Sequence, residues 1–362
     1  MPKAQRRVVI IGGGQSGLAT ARAARDAGWS PLVLEAGDRP VGAWPAYYDS
    51  LALFSPTEFS GFPGYGFPGA AGRYPGRDEV VRFLAGYADW LGVEIRTRAW
   101  VSEVRAAGSG FDVETVDGDQ VRADAVIAAS GSFTNPHLPE IADQAGFGGR
   151  VLHVADYRSP AEFEGQRVVV VGAGNSAVQV GYELGAVARV SLAVRSPVQF
   201  VPQVRCGRDM HFWLHHLRLD LLPPAVLARL FKGTPVFDTG AYQQALASGR
   251  LDQRPVFDRF TGDGVRWADG TSEPVDAVIF ASGYRPSLPY LAPLGALSPA
   301  GVPLHRQGLS TTHRGLAYVG LELQRSFSSN TLRGVHRDAS FVLSALAGRV
   351  RSGRSPATAR GQ

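Results

Sequence analysis

Two glycine-rich loops are the parts of this sequence best suited to bind a phosphate-bearing ligand. The first lies in VVIIGGGQSGLAT, where Gly12, Gly14 and Gly17 have G-x-G-x-x-G spacing between an apolar run and an alanine-rich segment. Glycines at this spacing let a pyrophosphate approach backbone N–H groups at a helix N-terminus. The loop is therefore predicted to bind a dinucleotide, with Gln15 and Ser16 among the binding residues.

An acidic residue follows at the position where a ribose would lie. The segment PLVLE reads as the next strand and ends at Glu35, eighteen residues after Gly17. A carboxylate at the end of this strand can accept hydrogen bonds from a ribose diol. The alternative is a strand-to-helix turn that is rich in glycine and binds nothing.

The second loop, VVVVGAGNSAVQV, has the same spacing and different chemistry. Gly172 and Gly174 are retained, Ala177 replaces the third glycine, and Asn175 and Ser176 lie between them. The strand RVSLAV follows the helix that this loop begins. The second loop is therefore predicted to bind another dinucleotide.

The residues after that strand distinguish the two loops. Arg195 and Ser196 stand where the first loop has Glu35. An arginine and a hydroxyl would bind a 2′-phosphate, which an acid would repel. The pattern predicts NADPH at the second loop, and the alternative is that Arg195 is only a solvent-exposed residue at a strand end.

The repeated strand–loop–helix–strand order predicts an α/β fold with two Rossmann-like dinucleotide-binding domains, the second inserted in the first. Two further strands end in the turns ASG, at Gly131 and Gly283, and each follows a β-rich stretch with a DG turn that predicts an antiparallel hairpin. Residues 207–250 are predicted to form short helices in a loop-rich insertion. The predicted division is 1–158 and 283–350 for the first domain, 159–282 for the second, and a disordered tail at 351–362.

Composition excludes several classes of protein. The chain has one cysteine, so neither a disulfide framework nor a C-x-x-C redox pair can form. The net charge is +5, but the arginines are scattered and no nucleic-acid-reading motif accompanies them. His211, His215 and His216 lack a firm additional ligand, so no metal site is predicted. No apolar window is long enough for a signal peptide or a membrane span, and a cytoplasmic location is expected.

A third pattern stands just before the second loop. FGGRVLHVADY reads F-x-G-x-x-x-H-x-x-x-Y, at Phe147, Gly149, His153 and Tyr157. This resembles the signature of the class B flavin monooxygenases, in the position that it has in that family. The resemblance implies that His153 organises the linker between the domains and does not transfer a proton. The alternative is a linker histidine that only bonds backbone atoms.

Further segments extend the resemblance over residues 6–350. GAW at 42–44, GNSA at 174–177 and ASGYRP at 281–286 are similar to segments of that family, and YYDSLALFSP and LELQRSFSSNTLRGVHRDA are similar to its small bacterial branch of arsenic-operon monooxygenases. The family often has an asparagine near the flavin in the segment corresponding to 51–62. Here that segment has none, and Ser55 is the nearest polar candidate.

The resemblance implies an activity and its cofactors. NADPH would reduce FAD, and O2 would then form a flavin C4a-hydroperoxide that oxygenates a small soft nucleophile (N, S or similar heteroatom) or a carbonyl compound. Trp44, Ser55 and His153 are the candidate catalytic residues. Trp44 and the aromatic loop 62–69 would wall a dry pocket, or would simply pack. Asn330 and Thr331 would begin a final helix, 331–350, that points its N-terminus at the flavin.

Two other readings stay open at this point. One is an FAD-dependent NADPH reductase that does not oxygenate, and the other is a non-catalytic nucleotide sensor. The expected partners are a small-molecule substrate and O2, without nucleic acid or membrane, and a homodimer is compatible with the sequence.

Overall fold

Two parallel sheets form the centre of the fold, and each has helices on one face and a small antiparallel sheet on the other. The computed structural model describes residues 5–226 and 235–351. Its helices are α1 (Gln15–Asp26), α2 (Arg77–Leu91), α3 (Asn175–Leu184), α4 (Met210–His216), α5 (Ala241–Ala247) and α6 (Val335–Arg351). Its strands are β1 (Arg7–Ile11), β2 (Ser30–Leu34), β3 (Glu94–Arg96), β4 (Val101–Ala107), β5 (Gly110–Thr115), β6 (Gln120–Ala123), β7 (Ala125–Ala128), β8 (Arg150–His153), β9 (Arg167–Val171), β10 (Arg189–Val194), β11 (Phe200–Pro202), β12 (Val204–Arg205), β13 (Arg208–Asp209), β14 (Val236–Asp238), β15 (Asp252–Pro255), β16 (Arg259–Phe260), β17 (Gly264–Arg266), β18 (Ser272–Pro274), β19 (Ala277–Phe280), β20 (His305–Arg306), β21 (Leu309–Ser310) and β22 (Leu316–Tyr318).

The first sheet has the strand order β20-β21-β22-β7-β1-β2-β3, and its strands from β22 to β3 are parallel. The β-branched run of β1 is buried on both faces, as expected for a central parallel strand. Val8 and Ile10 pack towards α1, α2 and α6, while Val9 and Ile11 pack towards the β4–β6 sheet. The first glycine loop follows β1 directly and so lies at the carboxyl edge of this sheet.

The second sheet has the strand order β15-β10-β9-β19-β8, with every pair parallel. Val168 and Val170 of β9 pack towards α3, and Val169 and Val171 pack towards the β16–β18 sheet. The predicted α/β fold with two Rossmann-like halves is therefore confirmed. The domain boundaries stay a prediction. β8, which lies before the predicted boundary at 158, pairs with β19 and so belongs to the second sheet.

Both predicted hairpins are present, and each has a third strand. β5 and β6 join through Gly118, and β17 and β18 join through Gly270; both glycines have positive φ, +87° and +84°. A backbone turn of this hand favours glycine because it has no Cβ. β4 and β16 extend the two hairpins into three-stranded sheets that cover the parallel sheets.

The last helix begins later than the sequence suggested. It starts at Val335 and not at Thr331. Thr331 instead belongs to a turn, in which its hydroxyl donates to the carbonyl of Ser328 (2.8 Å) and its own carbonyl accepts from Gly334 (3.1 Å). A Cβ at Gly334 would lie 2.3 Å from the Ser328 oxygens, so this close turn requires glycine.

The insertion 207–250 contains the expected short helices α4 and α5 and also strands. β14 pairs in parallel with β11, and β12 and β13 form a small antiparallel pair. Residues 227–234 and the tail predicted to be disordered, from 352 onward, lie outside the described residues.

Candidate dinucleotide sites and the linker between them

The first loop is shaped by close backbone contacts that exclude side chains. Gly12 has φ +105°, and a Cβ there would lie 2.6 Å from the carbonyl oxygen of Ala129. A Cβ at Gly17 would lie only 1.7 Å from the carbonyl oxygen of Gly12. The loop therefore packs against the start of α1, whose first N–H groups have no intrahelical partner. This cradle suits a pyrophosphate.

Glu35 lies against this loop. It is buried, and its carboxylate accepts the N–H of Gly13 at 2.5 Å and that of Gly37 at 2.7 Å. These bonds fix the carboxylate directly after β2 and beside the loop. Each oxygen retains lone pairs that could accept from a ribose hydroxyl. The structure thus brings together the loop and the acid that sequence spacing paired.

A short chain of hydrogen bonds joins three of the predicted residues. The indole N–H of Trp44 donates to Oε1 of Gln15 at 3.2 Å, and Nε2 of Gln15 donates to the Asn330 carbonyl at 2.5 Å. Trp44 follows β2, Gln15 begins α1 and Asn330 precedes α6. Ser16 contacts a residue that sequence reasoning missed: a Cβ at Gly320 would lie 2.1 Å from Ser16 Oγ. Its only sequence signal is a glycine just after a strand.

Ser55 is held inside its own turn. It is buried, and its Oγ lies 2.9 Å from Oγ of Ser60. The Ser60 hydroxyl in turn donates to the carbonyl of Pro56 at 2.9 Å. The neighbouring aromatic loop packs against α2: the Phe67 and Phe83 rings lie 4.5 Å apart, and other rings of the loop make similar contacts. Simple packing, the alternative interpretation of this loop, accounts for these contacts. The catalytic role of Ser55 stays a prediction.

The second loop repeats the first with one variation. Gly172 has φ +149°, and a Cβ there would lie 2.5 Å from the carbonyl oxygen of Ala281. The side chain of Ala177, which replaces the third glycine, would lie 3.2 Å from that same Cβ and is fully buried. Gly174 precedes α3, and Asn175 and Ser176 are its first two residues. The third position of this loop thus holds a buried methyl group, where the first loop has glycine.

Arg195 and Ser196 follow β10 directly and are exposed. β10 lies beside β9, and the Gly172 N–H donates to Ala193 at 3.0 Å, so both residues stand next to the second loop. Within residues 5–226 and 235–351, the Arg195 guanidinium has no hydrogen bond or ion pair. It is therefore available to an anionic ligand.

His153 connects the end of β8 with the ASG turn after β19. It is buried; its Nε2 donates to the Gly283 carbonyl at 3.1 Å, and its Nδ1 accepts from the Ala155 N–H at 3.1 Å. Burial lowers the pKa of His153 below its usual value, which favours the neutral ring. Both nitrogens are engaged with backbone, which fits an organising role and leaves neither free for proton transfer. Gly283, like Gly131 in the matching turn, has positive φ.

A row of aromatic rings runs from the first loop to the linker. The centroids of Trp44 and Tyr47 lie 5.5 Å apart, those of Tyr47 and Phe133 4.4 Å, those of Phe133 and Tyr284 5.2 Å, and those of Tyr284 and His153 4.9 Å. Burial raises the pKa of Tyr47 to about 12. Sequence reasoning singled out only the two ends of the row, because its middle members come from three distant segments.

The linker is also tied to α3. The hydroxyls of Ser50 and Tyr157 donate to Oε2 of Glu183, at 2.6 and 3.2 Å, and the Tyr48 hydroxyl donates to Oε1 of Gln179 at 2.9 Å. An open cavity of about 410 Å³ adjoins these residues. No sequence pattern indicated Glu183, since an acid on a helix is ordinarily solvated.

The part of the chain that the structure describes contains no group of three His, Cys, Asp or Glu side chains that could hold a metal ion. Of the helices in that part, none combines the length and hydropathy needed to span a bilayer.

Comparison with known proteins agrees with this geometry. The sequence pattern of the family described as pyridine nucleotide-disulphide oxidoreductase matches residues 9–213. An uncharacterized CzcO-like oxidoreductase of Geobacillus kaustophilus is 28% identical over 93% of this chain and 97% of its own length. Indole-3-pyruvate monooxygenase YUCCA1 of Oryza sativa subsp. japonica is 31% identical over 83% of this chain and 81% of its own.

A solved structure gives the same result for the fold. The flavin-containing monooxygenase of Stenotrophomonas maltophilia superposes with a TM-score of 0.82 at 33% identity, over 96% of this chain and 99% of its own. The predicted resemblance to flavin monooxygenases is confirmed at this level, while the narrower resemblance to the arsenic-operon branch stays a prediction. Since the family pattern spans more than half of the chain, and the rice relative exceeds 30% identity over most of both proteins, the chain belongs to the pyridine nucleotide-disulphide oxidoreductase family and, within it, to the flavin-containing monooxygenases.

Proposed function

We propose that this flavin-dependent oxidoreductase is an NADPH- and O2-dependent monooxygenase that uses FAD. Its substrate would be a small molecule with a soft nucleophilic N, S or similar heteroatom, or with a carbonyl group. The observation that carries the proposal is the pair of glycine loops with opposite chemistry: the carboxylate of Glu35 lies at one, and the exposed guanidinium of Arg195 lies at the other. Two different dinucleotides fit this pair better than two copies of one.

The residues of the first loop fit FAD. Gly12, Gly14 and Gly17 leave the space that a pyrophosphate needs, and Glu35 would accept from the ribose. When bound, FAD accepts a hydride from nicotinamide and supplies the chemistry that activates O2. Gln15 fixes Trp44 and the Asn330 carbonyl close to α1, where they would border the flavin.

The residues of the second loop fit NADPH. Gly172, Gly174 and the N-terminus of α3 would hold its pyrophosphate, with Asn175 and Ser176 beside it. Arg195 and Ser196 would bind the 2′-phosphate through charge-assisted hydrogen bonds.

The work of the protein in the oxygenation would be to position its ligands and exclude water. The aromatic row from Trp44 to Tyr284 supports this, because closely packed rings between the two loops offer little for water to bind. His153 would act as a positioning residue that holds the row to the linker. No described side chain needs to act as a nucleophile.

The names of the relatives suggest where to look for the substrate. The rice relative is named an indole-3-pyruvate monooxygenase, so an aromatic 2-oxo acid is a candidate. Amines and sulfides are the other candidates, since a heteroatom lone pair can attack an electrophilic oxygen. A screen of NADPH consumption coupled to product formation would separate the three classes.

Rapid mixing of the NADPH-reduced protein with O2 tests oxygenation itself. We expect slow reoxidation of the flavin, with a transient absorbance spectrum that matches neither the reduced nor the oxidised flavin. Little H2O2 should form, because a dry site delays the decay of the oxygenated flavin to H2O2. Immediate reoxidation with one equivalent of H2O2 would instead support the NADPH reductase, the alternative function. A protein that does not consume NADPH at all would be neither a monooxygenase nor a reductase, and would fit the non-catalytic nucleotide sensor.

The variant Arg195→Ala tests cofactor choice. We expect KM for NADPH to rise tenfold or more, since losing one charge-assisted contact costs about 1.4 kcal/mol or more. KM for NADH should hardly change, because NADH lacks the 2′-phosphate. Steady-state kinetics with both nucleotides measure this. Arg189→Ala, at the other end of β10, is the matched control and should keep the preference; an unchanged preference in Arg195→Ala would remove Arg195 from this role.

Location and assembly remain predictions. A cytoplasmic location, independence of membranes and nucleic acids, and a homodimer are each compatible with the sequence. Light scattering on the purified FAD-loaded protein would measure its assembly state.

A further inference from the structure

A buried aspartate–histidine pair lies at the start of α4, within the insertion. His211 is 1% exposed, and its Nδ1 lies 2.8 Å from Oδ1 of Asp209. Oδ2 of Asp209 accepts from the Tyr74 hydroxyl at 2.5 Å and from Nε2 of Gln203 at 2.7 Å. Burial alone would raise the pKa of Asp209, but hydrogen bonds from His211, Tyr74 and Gln203 hold it below its usual value. Asp209 is therefore an ionised acceptor that orients the histidine ring.

This arrangement fixes which nitrogen of His211 carries the proton. A carboxylate can only accept, so Nδ1 of the ring must donate to Asp209. Burial lowers the pKa of His211 below its usual value and outweighs the hydrogen bond from the ring to Asp209, which raises it, so the neutral ring is favoured near pH 7. Nε2 is therefore a bare acceptor. It is buried and has no hydrogen-bond partner in residues 5–226 and 235–351. An unpaired buried acceptor is costly unless a ligand supplies a donor.

Aromatic rings pack around the His211 side chain. The ring of Phe237 lies 5.1 Å from that of His211, and the rings of Phe54 and Phe59 lie at 5.9 and 6.5 Å. Phe54 and Phe59 are only partly buried, so their side of the cluster lies at the protein surface. Apolar walls with a single polar group are typical of a small-molecule site.

The cluster is connected to the segment beside the first loop. Nε2 of Gln203 donates to the Phe54 carbonyl at 3.2 Å, which ties the insertion to the segment containing Ser55. Asp220, in the turn that follows α4, bonds Arg333 at 3.0 Å. Arg333 stands three residues after Asn330, the partner of Gln15. The His211 cluster thus adjoins the elements that would border a flavin.

We propose that Nε2 of His211 is a specificity-determining acceptor that binds an N–H or O–H group of an aromatic substrate whose ring packs against Phe54, Phe59 and Phe237. Naming the ligand a substrate rests on the proposed oxygenation; the binding itself does not. Asp209 is a positioning residue in this scheme, because it keeps the proton on Nδ1.

Two probes of equal shape test this without turnover. Indole carries an N–H donor, and indene has a CH2 group in its place. Titration of the oxidised FAD-loaded protein, followed by calorimetry, should give a Kd for indole at least fivefold below that for indene. In protein labelled with 15N-histidine, indole and not indene should shift the Nε2 resonance of His211, which is assigned by its loss in a variant. Equal affinities or an unmoved resonance would overturn the proposal.

Variants separate this role from packing. His211→Phe keeps a ring and should abolish the preference for indole, while His211→Gln keeps an acceptor and should restore part of it. His216→Phe makes the same exchange on the same helix at an exposed position and should leave the preference intact. A preference that survives in His211→Phe would contradict the assignment. If His211→Phe does not retain FAD, the proposal is still tested by His211→Gln and by the binding of indole and indene to the wild-type protein.

These outcomes are distinct from those for the proposed function. Failure of oxygenation would appear as immediate flavin reoxidation with H2O2 and would leave the indole preference in place. Failure of the His211 assignment would appear as equal binding of the two probes by a protein that still oxygenates.

Discussion

Gly17→Ala should yield a colourless protein. The added Cβ would lie 1.7 Å from the Gly12 carbonyl oxygen, far inside any real contact distance, so α1 would have to move away from the loop. That movement takes the helix N-terminus and its N–H groups away from the pyrophosphate position, which should cost nearly all flavin affinity. The flavin absorbance of the purified protein and its titration with FAD measure the loss.

A matched alanine substitution shows whether the loop or the general cost of removing glycine is responsible. Gly66 has no atom within 4 Å of an added Cβ and no positive φ, so Gly66→Ala should bind FAD as the wild type does. Circular dichroism would establish that Gly17→Ala is still folded. A folded and fully yellow Gly17→Ala protein would show that the first loop is not the flavin site.

The sequence could predict both loops because their structure is local. The strand, the close turn and the helix are encoded within about twenty residues, and only glycine tolerates the approach of Gly17 to Gly12. Glu35 was predictable for the same reason, since strand and helix lengths set its distance from the loop. The start of α6 could not be predicted in this way. The apolar residues from Leu332 onward continue a helical pattern, which the turn at Gly334 interrupts.

Long-range contacts explain the rest of what sequence reasoning missed. Tyr47, Phe133 and Tyr284 pack together only because three loops converge between the sheets, and no local pattern predicts that convergence. The bare Nε2 of His211 likewise depends on which side of the ring Asp209 occupies. A histidine in a sequence does not reveal its tautomer, so sequence reasoning weighed His211 only as a metal ligand, did not predict a metal site, and had no signal for an acceptor.

Two polar connections hold the linker between the sheets. His153 bonds Gly283 after β19, while Tyr157, four residues on, bonds Glu183 on α3 together with Ser50 from the first unit. A rotation of one sheet relative to the other would have to break the bond between Ser50 and Glu183, although α3 and the linker could move together. The histidine and tyrosine of the linker motif therefore fix the second unit to the linker, and the bonds of Ser50 to Glu183 and of Tyr48 to Gln179 are among the contacts that a domain movement would release.

Asp220→Ala should be the most destabilising of the substitutions considered in the insertion. Asp220 is 2% exposed and bonds Arg333, itself 6% exposed, through Nε at 3.1 Å and Nη2 at 3.0 Å. Removing the carboxylate leaves a buried guanidinium without its counter-charge, which typically costs about 3–5 kcal/mol. Thermal unfolding followed by flavin release should show a midpoint several degrees below that of the wild type.

The cause is tested by removing both charges. Asp220→Leu combined with Arg333→Met should recover most of the stability, because an apolar pair of similar volume avoids the desolvation penalty that the ion pair carries. Asp258→Ala breaks an exposed ion pair with Arg266 and should change the midpoint little. If the double variant is as unstable as Asp220→Ala, the loss comes from packing around residue 220 and not from the unpaired charge of Arg333.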